Sequence, residues 1–299
     1  MSFIGIRQMK IISGYMNDEK YRHLLNDLTR KVFGFDFENW VTQGYFEGDY
    51  IPYSFLHDGK IVSNVSANIM RFSQNGEERN YIQIGTVMTD ENFRNHGLAG
   101  KLMQHVIRKY EKKSDGIYLF GALSAKGFYQ KMGFFTENQY HYYVKNDFCH
   151  TAKAGTRFRQ VMDTDTELKA HYMDLVRKSA FHSSFEQLNK FGLQMFYTSG
   201  LDNVYYADDI DCFIVLNQDD GAVLGSVLCR EDIGLQEILC RIKIQDDRIR
   251  LGFTPRQEEK YMCDAEIYDG GEDYRLFYRG KQLQSIERDK LYFPDLSHA

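Results

Sequence analysis

The 299-residue chain has little proline, only Pro52, Pro255 and Pro294, and a single tryptophan, Trp40. So few prolines exclude a proline-rich or low-complexity linker. Positive charge is not in excess either: 37 Lys and Arg stand against 42 Asp and Glu, a formal charge of −5. Nucleic-acid binders usually carry a basic surface, so no nucleic-acid partner is expected. No apolar run approaches the ~20 residues that span a bilayer, and the N-terminus lacks the apolar core of a signal peptide. The expectation is a cytoplasmic protein without a membrane partner. The five cysteines, Cys149, Cys212, Cys229, Cys240 and Cys263, are widely spaced and include no Cys-x-x-Cys pair. Free thiols in a reducing compartment are expected, and no metal site, because zinc needs clustered ligands.

What is present suffices for packed cores: 43% of residues are hydrophobic and 15% aromatic, well above the disordered range. At roughly 100–200 residues per domain, the length admits two domains. The polar stretch 146–155 separates two strand-like segments, so the expected division is 1–147 and 148–299.

In the first half, residues 7–12 suit a short strand. Residues 18–32 place Tyr21, Leu24, Leu25, Leu28 and Val32 on one helical face. Residues 50–56 and 60–72 read as a hairpin closed at Asp58-Gly59, a strong turn signal. Residues 81–88 follow as a strand. Leu98, Leu102, Val106 and Tyr110 then recur every fourth residue, the mark of an amphipathic helix. A strand at 116–121, a short helix at 124–131 stopped by Gly133, and an aromatic strand at 134–144 complete the half. The second half reads as strand 156–161, helices 166–178 and 185–196, strands 203–206, 212–216 and 222–229, helix 235–242 and strand 248–253, a weak echo of the first.

The chemistry concentrates where the strand ending at Thr89 passes through a loop into the helix at Leu98. Gly97, Ala99 and Gly100 have no bulky side chains, so a ligand can approach the backbone closely. The first turn of a helix presents free N–H groups and partial positive charge, which suits a pyrophosphate. Arg94 can add a charge-assisted hydrogen bond. The loop is not a Walker loop, for it lacks the Gly-Lys-Ser/Thr ending, and no G-x-G-x-x-G marks a dinucleotide fold.

Arg94-x-x-Gly97-x-Ala99 resembles the Arg/Gln-x-x-Gly-x-Gly/Ala motif of the GNAT N-acetyltransferases. Phe128-Tyr129-Gln130-Lys131-Met132-Gly133-Phe134 resembles a second motif of that family, and the element order of residues 1–145 is similar to its fold. The resemblance implies an α/β fold with a mixed, mostly antiparallel sheet flanked by helices, followed by a second, non-catalytic α/β domain that is either a degenerate GNAT-like repeat or an unrelated α/β domain. It implies acetyl-CoA as acetyl donor, with no metal. The backbone of Val87, Met88 and Thr89 would bind the pantetheine arm. The amides of Asn95, His96, Gly97, Leu98, Ala99 and Gly100, with Arg94, would hold the pyrophosphate. Tyr129 would be the general acid to the departing thiolate, in direct transfer of acetyl to an amine. Phe128 would point into the core.

Ala122 stands where many family members carry asparagine, a variant similar to the Eis-type branch. In that branch a C-terminal carboxylate can serve as base, which places Ala299, with His298 beside it, among the candidates. Trp40 and Tyr45 fall in the segment that borders the acceptor site in the family. An aromatic wall there suits an amphipathic or cationic amine, either a small molecule or a peptide. The acids of Arg230-Glu231-Asp232 stand where a second phosphate loop would lie, and they would repel a pyrophosphate. A homo-oligomer is compatible with this reading. The competing reading is a non-catalytic acyl-CoA-binding regulatory module.

Overall fold

The computed structural model describes residues 9–146 and 157–299. Cys149, the expected boundary after residue 147 and residues 7–8 and 156 of two expected strands lie outside the described residues.

The strands in chain order are β1 (Ile11–Ser13), β2 (Tyr50–His57), β3 (Lys60–Gln74), β4 (Glu77–Thr89), β5 (Gly116–Gly121), β6 (Phe135–Glu137), β7 (Gln139–Lys145), β8 (Arg159–Gln160), β9 (Phe185–Gln187), β10 (Val204–Ala207), β11 (Cys212–Asn217), β12 (Val223–Cys229), β13 (Arg248–Leu251), β14 (Asp264–Tyr268) and β15 (Arg275–Arg279). The helices are α1 (Glu19–Phe33), α2 (Glu38–Thr42), α3 (Leu98–Tyr110), α4 (Lys126–Gln130), α5 (Thr166–Lys178), α6 (Phe191–Thr198), α7 (Leu235–Leu239) and α8 (Ser285–Arg288).

Local chemistry sets many of these limits. Asp18 accepts from the Tyr21 amide to cap α1, and Gly34 ends that helix at φ 81°, the left-handed stop that glycine takes without strain. The β2–β3 hairpin turns at Asp58-Gly59 as expected. α3 buries Leu98, Leu102, Met103, Val106 and Ile107 against the first sheet. β3 is buried along nearly its whole length, because α1 and α3 both pack against it.

The protein is mixed α/β, with two mostly antiparallel sheets flanked by helices. The first runs β1-β2-β3-β4-β5-β15-β6, with β9 beside β3; the second runs β14-β7-β13-β12-β11-β10-β8. Each contains one parallel neighbour pair, β4–β5 and β12–β13. The expected aromatic strand at 134–144 is divided: β6 stays in the first sheet and β7 enters the second. In return, β15 inserts between β5 and β6. The sheets therefore cross the expected division at residue 147.

The cores cross it too. Leu25, Leu28, Trp40 and Tyr50 share one cluster with Tyr172, Phe191, Phe213 and Leu228. Phe72, Tyr81 and Tyr118 share another with Phe185, Leu276 and Phe293. The expected helix at 185–196 is corrected: Phe185–Gln187 is a strand, paired with Phe72–Gln74 of β3, and the helix starts only at Phe191. Helix 235–242 shortens to Leu235–Leu239. The four described cysteines are free. Among the described residues no helix is long and apolar enough to cross a membrane.

Candidate active site

A buried polar cluster shapes the end of β4. Thr86 adopts φ 41°, uncommon for a β-branched residue. Its hydroxyl lies 2.7 Å from both Tyr50 Oη and Ser66 Oγ, and Asn64 Nδ2 donates to its carbonyl at 3.0 Å. Asn64 Oδ1 in turn accepts from Ser54 Oγ at 2.7 Å. The β3–β4 register slips here, between Asn64 and Ser66, and a bulge of this kind bends its strand. On the other side of β4, pairing with β5 runs only from Tyr81–Gly116 to Gln83–Tyr118. From Ile84 onward the edge of β4 that faced β5 has no strand partner there. Backbone groups in such a gap seek other partners.

The gap leads to the start of α3. Asn95 and Gly97 are left-handed, at φ 63° and 72°, and both are exposed. A Cβ at Gly97 would meet nothing within 4 Å. The first helical bond is Lys101 N–H to Gly97 O, so the amides of Leu98, Ala99 and Gly100 have no carbonyl four residues back within the helix. Arg94 is exposed and its Nε donates to Thr89 O at 3.3 Å. Leu98 and Met88 turn their side chains into the core and offer only backbone.

A cleft of about 630 Å³ opens beside the gap, lined by Ile84–Val87 of β4, Leu119–Gly121 of β5, Tyr129 of α4 and aromatic residues of the α1–α2 turn and α6. Tyr129 packs its ring on Phe134 and Phe277. Its hydroxyl has no hydrogen-bond partner among the described residues, and burial pushes its pKa up to about 12. Gly121 admits the ring: a Cβ there would lie 3.1 Å from Tyr129 Cε2.

The last residues dock at the start of the same gap. His298 stacks on Phe120 at 4.1 Å, and its carbonyl accepts from Tyr197 Oη at 2.6 Å. Gln83 Nε2 donates to Ala299 O at 3.4 Å. Gly85 permits this approach, since a Cβ there would stand 2.6 Å from Ala299 O. Burial holds the His298 imidazole below its ordinary pKa.

Residues 17–136 match the family model described as acetyltransferase (GNAT) domain. The chain carries a GNAT acetyltransferase domain. Solved structures of similar fold include a probable N-acyltransferase from Enterococcus faecalis, at 14% identity and TM-score 0.59 over 93% of this chain and 74% of that one. A GCN5-related N-acetyltransferase from Kribbella flavida is 14% identical, at TM-score 0.56 over 91% and 72%. Eis1 from Mycobacterium abscessus is 11% identical, at TM-score 0.54 over 90% and 72%. At such identities the likeness is one of fold, and it extends beyond the GNAT segment into the second sheet. No curated protein matches the chain.

Of the residues expected at the GNAT site, Val87, Tyr129, Trp40, His298 and Ala299 line one cleft. Tyr45 does not line it: it is buried against Phe191 in the core shared by the two halves. Its place just past α2 turns it toward α6, away from the gap. Trp40 lines the cleft as a satisfied core residue, its Nε1 donating to Gly192 O at 2.7 Å. Phe128 is half-buried against the same core as Tyr129. The polar cluster under Thr86 was missed by sequence reasoning, although Ser54, Asn64 and Ser66 inside apolar strands were its visible signal. In the second sheet, the amide of Leu235 at the start of α7 donates to Glu259 Oε1 at 2.8 Å, and Asp232 pairs with Arg256. That helix start is already occupied by the chain's own carboxylate. Among the described residues no group of three or more His, Cys, Asp or Glu is gathered to hold a metal ion.

Proposed function

We propose that this protein moves an acetyl group from acetyl-CoA to an amine at a single site on the first sheet. The observation that carries the reading is the Tyr129 hydroxyl, without a protein partner among the described residues, on a cleft that joins the β4–β5 gap. The gap fits the donor. The amides of Leu98, Ala99 and Gly100 and the open Gly97 suit a pyrophosphate, and the unpaired edge of β4 at 87–89 suits the amides of a pantetheine arm. When bound, acetyl-CoA supplies an activated acyl carbonyl and a thiolate leaving group. The Val87 N–H stabilises charge on the carbonyl oxygen, as oxyanion-hole donors do. Tyr129 gives its proton to the leaving sulfur; burial lifts this phenol to about 12, well above a thiol near 8.5, so the transfer needs a desolvated sulfur held close. In a chain that ends at Ala299, its carboxylate beside Gln83 and Gly85 accepts the proton shed by the amine. The second sheet shapes the acceptor cleft through Phe196 and Tyr197.

The test is thiol release from acetyl-CoA with a panel of amines, beside thermal unfolding with CoA. Tyr129→Phe lowers kcat by roughly 10²–10⁴-fold, the range of lost general acid catalysis, while CoA still raises Tm, as a native-state ligand must. Turnover unchanged by the substitution removes Tyr129 from the mechanism. An unchanged Tm with CoA removes the donor site.

A further inference from the structure

Resting on the transferase reading, we infer that the acceptor is a primary monoamine with an aryl or long alkyl body, and that polycations are poor acceptors. The cleft wall is almost continuously aromatic. Phe35 stacks with Phe33 at 6.1 Å and meets Phe37 and Phe196 edge-on at 5.4 and 5.7 Å. Phe196 meets Trp40 at 5.7 Å. Phe33 and Phe35 remain 47% and 37% exposed at the mouth, apolar surface that a ligand body would cover.

Three polar side-chain atoms of the wall are spent inward. Trp40 Nε1 is held by Gly192 O, Tyr50 Oη by Thr86 and Tyr197 Oη by His298 O. The acids nearby are committed as well. Asp36 pairs with Arg30, Glu38 with Arg22 and Glu47 with Arg177, while Asp49 accepts from Asn189. Asp273, exposed at the rim, is the one side-chain carboxylate among the described residues lining the cleft, and no basic partner is described for it. A polyamine or aminoglycoside would bring several ammonium groups into this wall. Each buried charge needs a partner, and ring faces with the Asp273 carboxylate at the rim and, in a chain that ends there, that of Ala299 do not supply enough of them for several ammonium groups. A monoamine brings one charge, which is lost as it reacts. The ammonium first gives up one proton; its nitrogen then bonds to the acetyl carbon as the carbon–sulfur bond breaks, a second proton leaves the nitrogen and the sulfur gains one, giving amide, free thiol and one proton released to solvent.

The experiment measures kcat/KM at saturating acetyl-CoA for octylamine and 2-phenylethylamine against spermidine and kanamycin, with CoA binding followed by Tm. The apolar monoamines should exceed the polycations by at least about tenfold, and Phe35→Ala should cut that ratio by roughly tenfold, the factor that about 55 Å² of apolar burial supplies. Equal or better turnover of the polycations, with CoA bound, overturns this inference and leaves the transferase reading standing. No turnover of any amine, with CoA bound, overturns both.

Discussion

At the residue scale, one ion pair fixes the turn that carries the aromatic wall. Arg22 is buried; it donates Nη1 to Met16 O and grips Glu38 through Nε and Nη2 at 2.9 and 2.8 Å. Asn26 Nδ2 reaches the same carboxylate at 3.0 Å while its Oδ1 accepts from the Phe37 amide. These bonds tie the first half of α1 to the start of α2 and fix the turn that carries Phe35 and Phe37 and leads into Trp40. The hydrogen bonds from Arg22 lower the Glu38 pKa from its ordinary 4.5 to about 2. A depressed carboxylate pKa stabilises the fold above the unfolded value, and that contribution is lost as pH falls through the folded value. The Tm advantage of the wild type over Glu38→Gln is therefore full above about pH 5 and shrinks to nothing as pH falls from 4.5 toward about 2. A difference that stays constant across that window would show that the pair does not anchor the turn.

At the element scale, the functional geometry comes from β4 losing β5 as a partner after Gln83, and the tail enters where that loss begins. Gly85→Ala tests the docking. The added methyl would stand 2.6 Å from Ala299 O and 2.9 Å from Asn68 Nδ2, so one of them must move, at about 1–3 kcal/mol for such overpacking. The tail is the less constrained neighbour, and in a chain that ends at Ala299 the expected result is faster carboxypeptidase trimming of Ala299 and His298 in a protein that still unfolds cooperatively. Trimming at the wild-type rate would mean that the tail is not held by β4. Much of this element layout was legible in the sequence. Asp58-Gly59 announced the hairpin, and the four-residue spacing from Leu98 announced α3 and the loop before it. The strand within 185–196 was not legible, because Leu188, Phe191 and Met195 fit a helical face and only distant pairing with Phe72–Gln74 makes Phe185–Gln187 extended. Strands β14 and β15 gave no reading at all, since their partners lie more than a hundred residues earlier in the chain. Tyr45 shows the same limit: its neighbourhood in sequence is the acceptor turn, but its neighbour in space is Phe191.

At the scale of the whole molecule, the two sheets exchange strands, and this decides what can fold alone. Without residues beyond 147, the first sheet would lose β15 from between β5 and β6, so both would lose their antiparallel partner. It would also lose Phe185, Leu276, Leu283, Ile286, Leu291 and Phe293, which cover Met70, Phe72, Tyr81 and Tyr118. Full burial of such a side chain contributes about 1.5–3 kcal/mol, and six of them together are comparable to the whole 5–15 kcal/mol by which a typical domain is stable, even after allowance for residual collapse in the unfolded chain. The second sheet would lose β7 from between β13 and β14 in the same cut. The full chain should therefore unfold by heat or urea in one transition seen alike by Trp40 fluorescence and by circular dichroism. A fragment of residues 1–147, although it holds Arg94, Gly97 and Tyr129, should show no cooperative transition and no stabilisation by CoA. A fragment that unfolds cooperatively and is stabilised by CoA would show that the exchanged strand is an ornament to the first sheet and not a member of it.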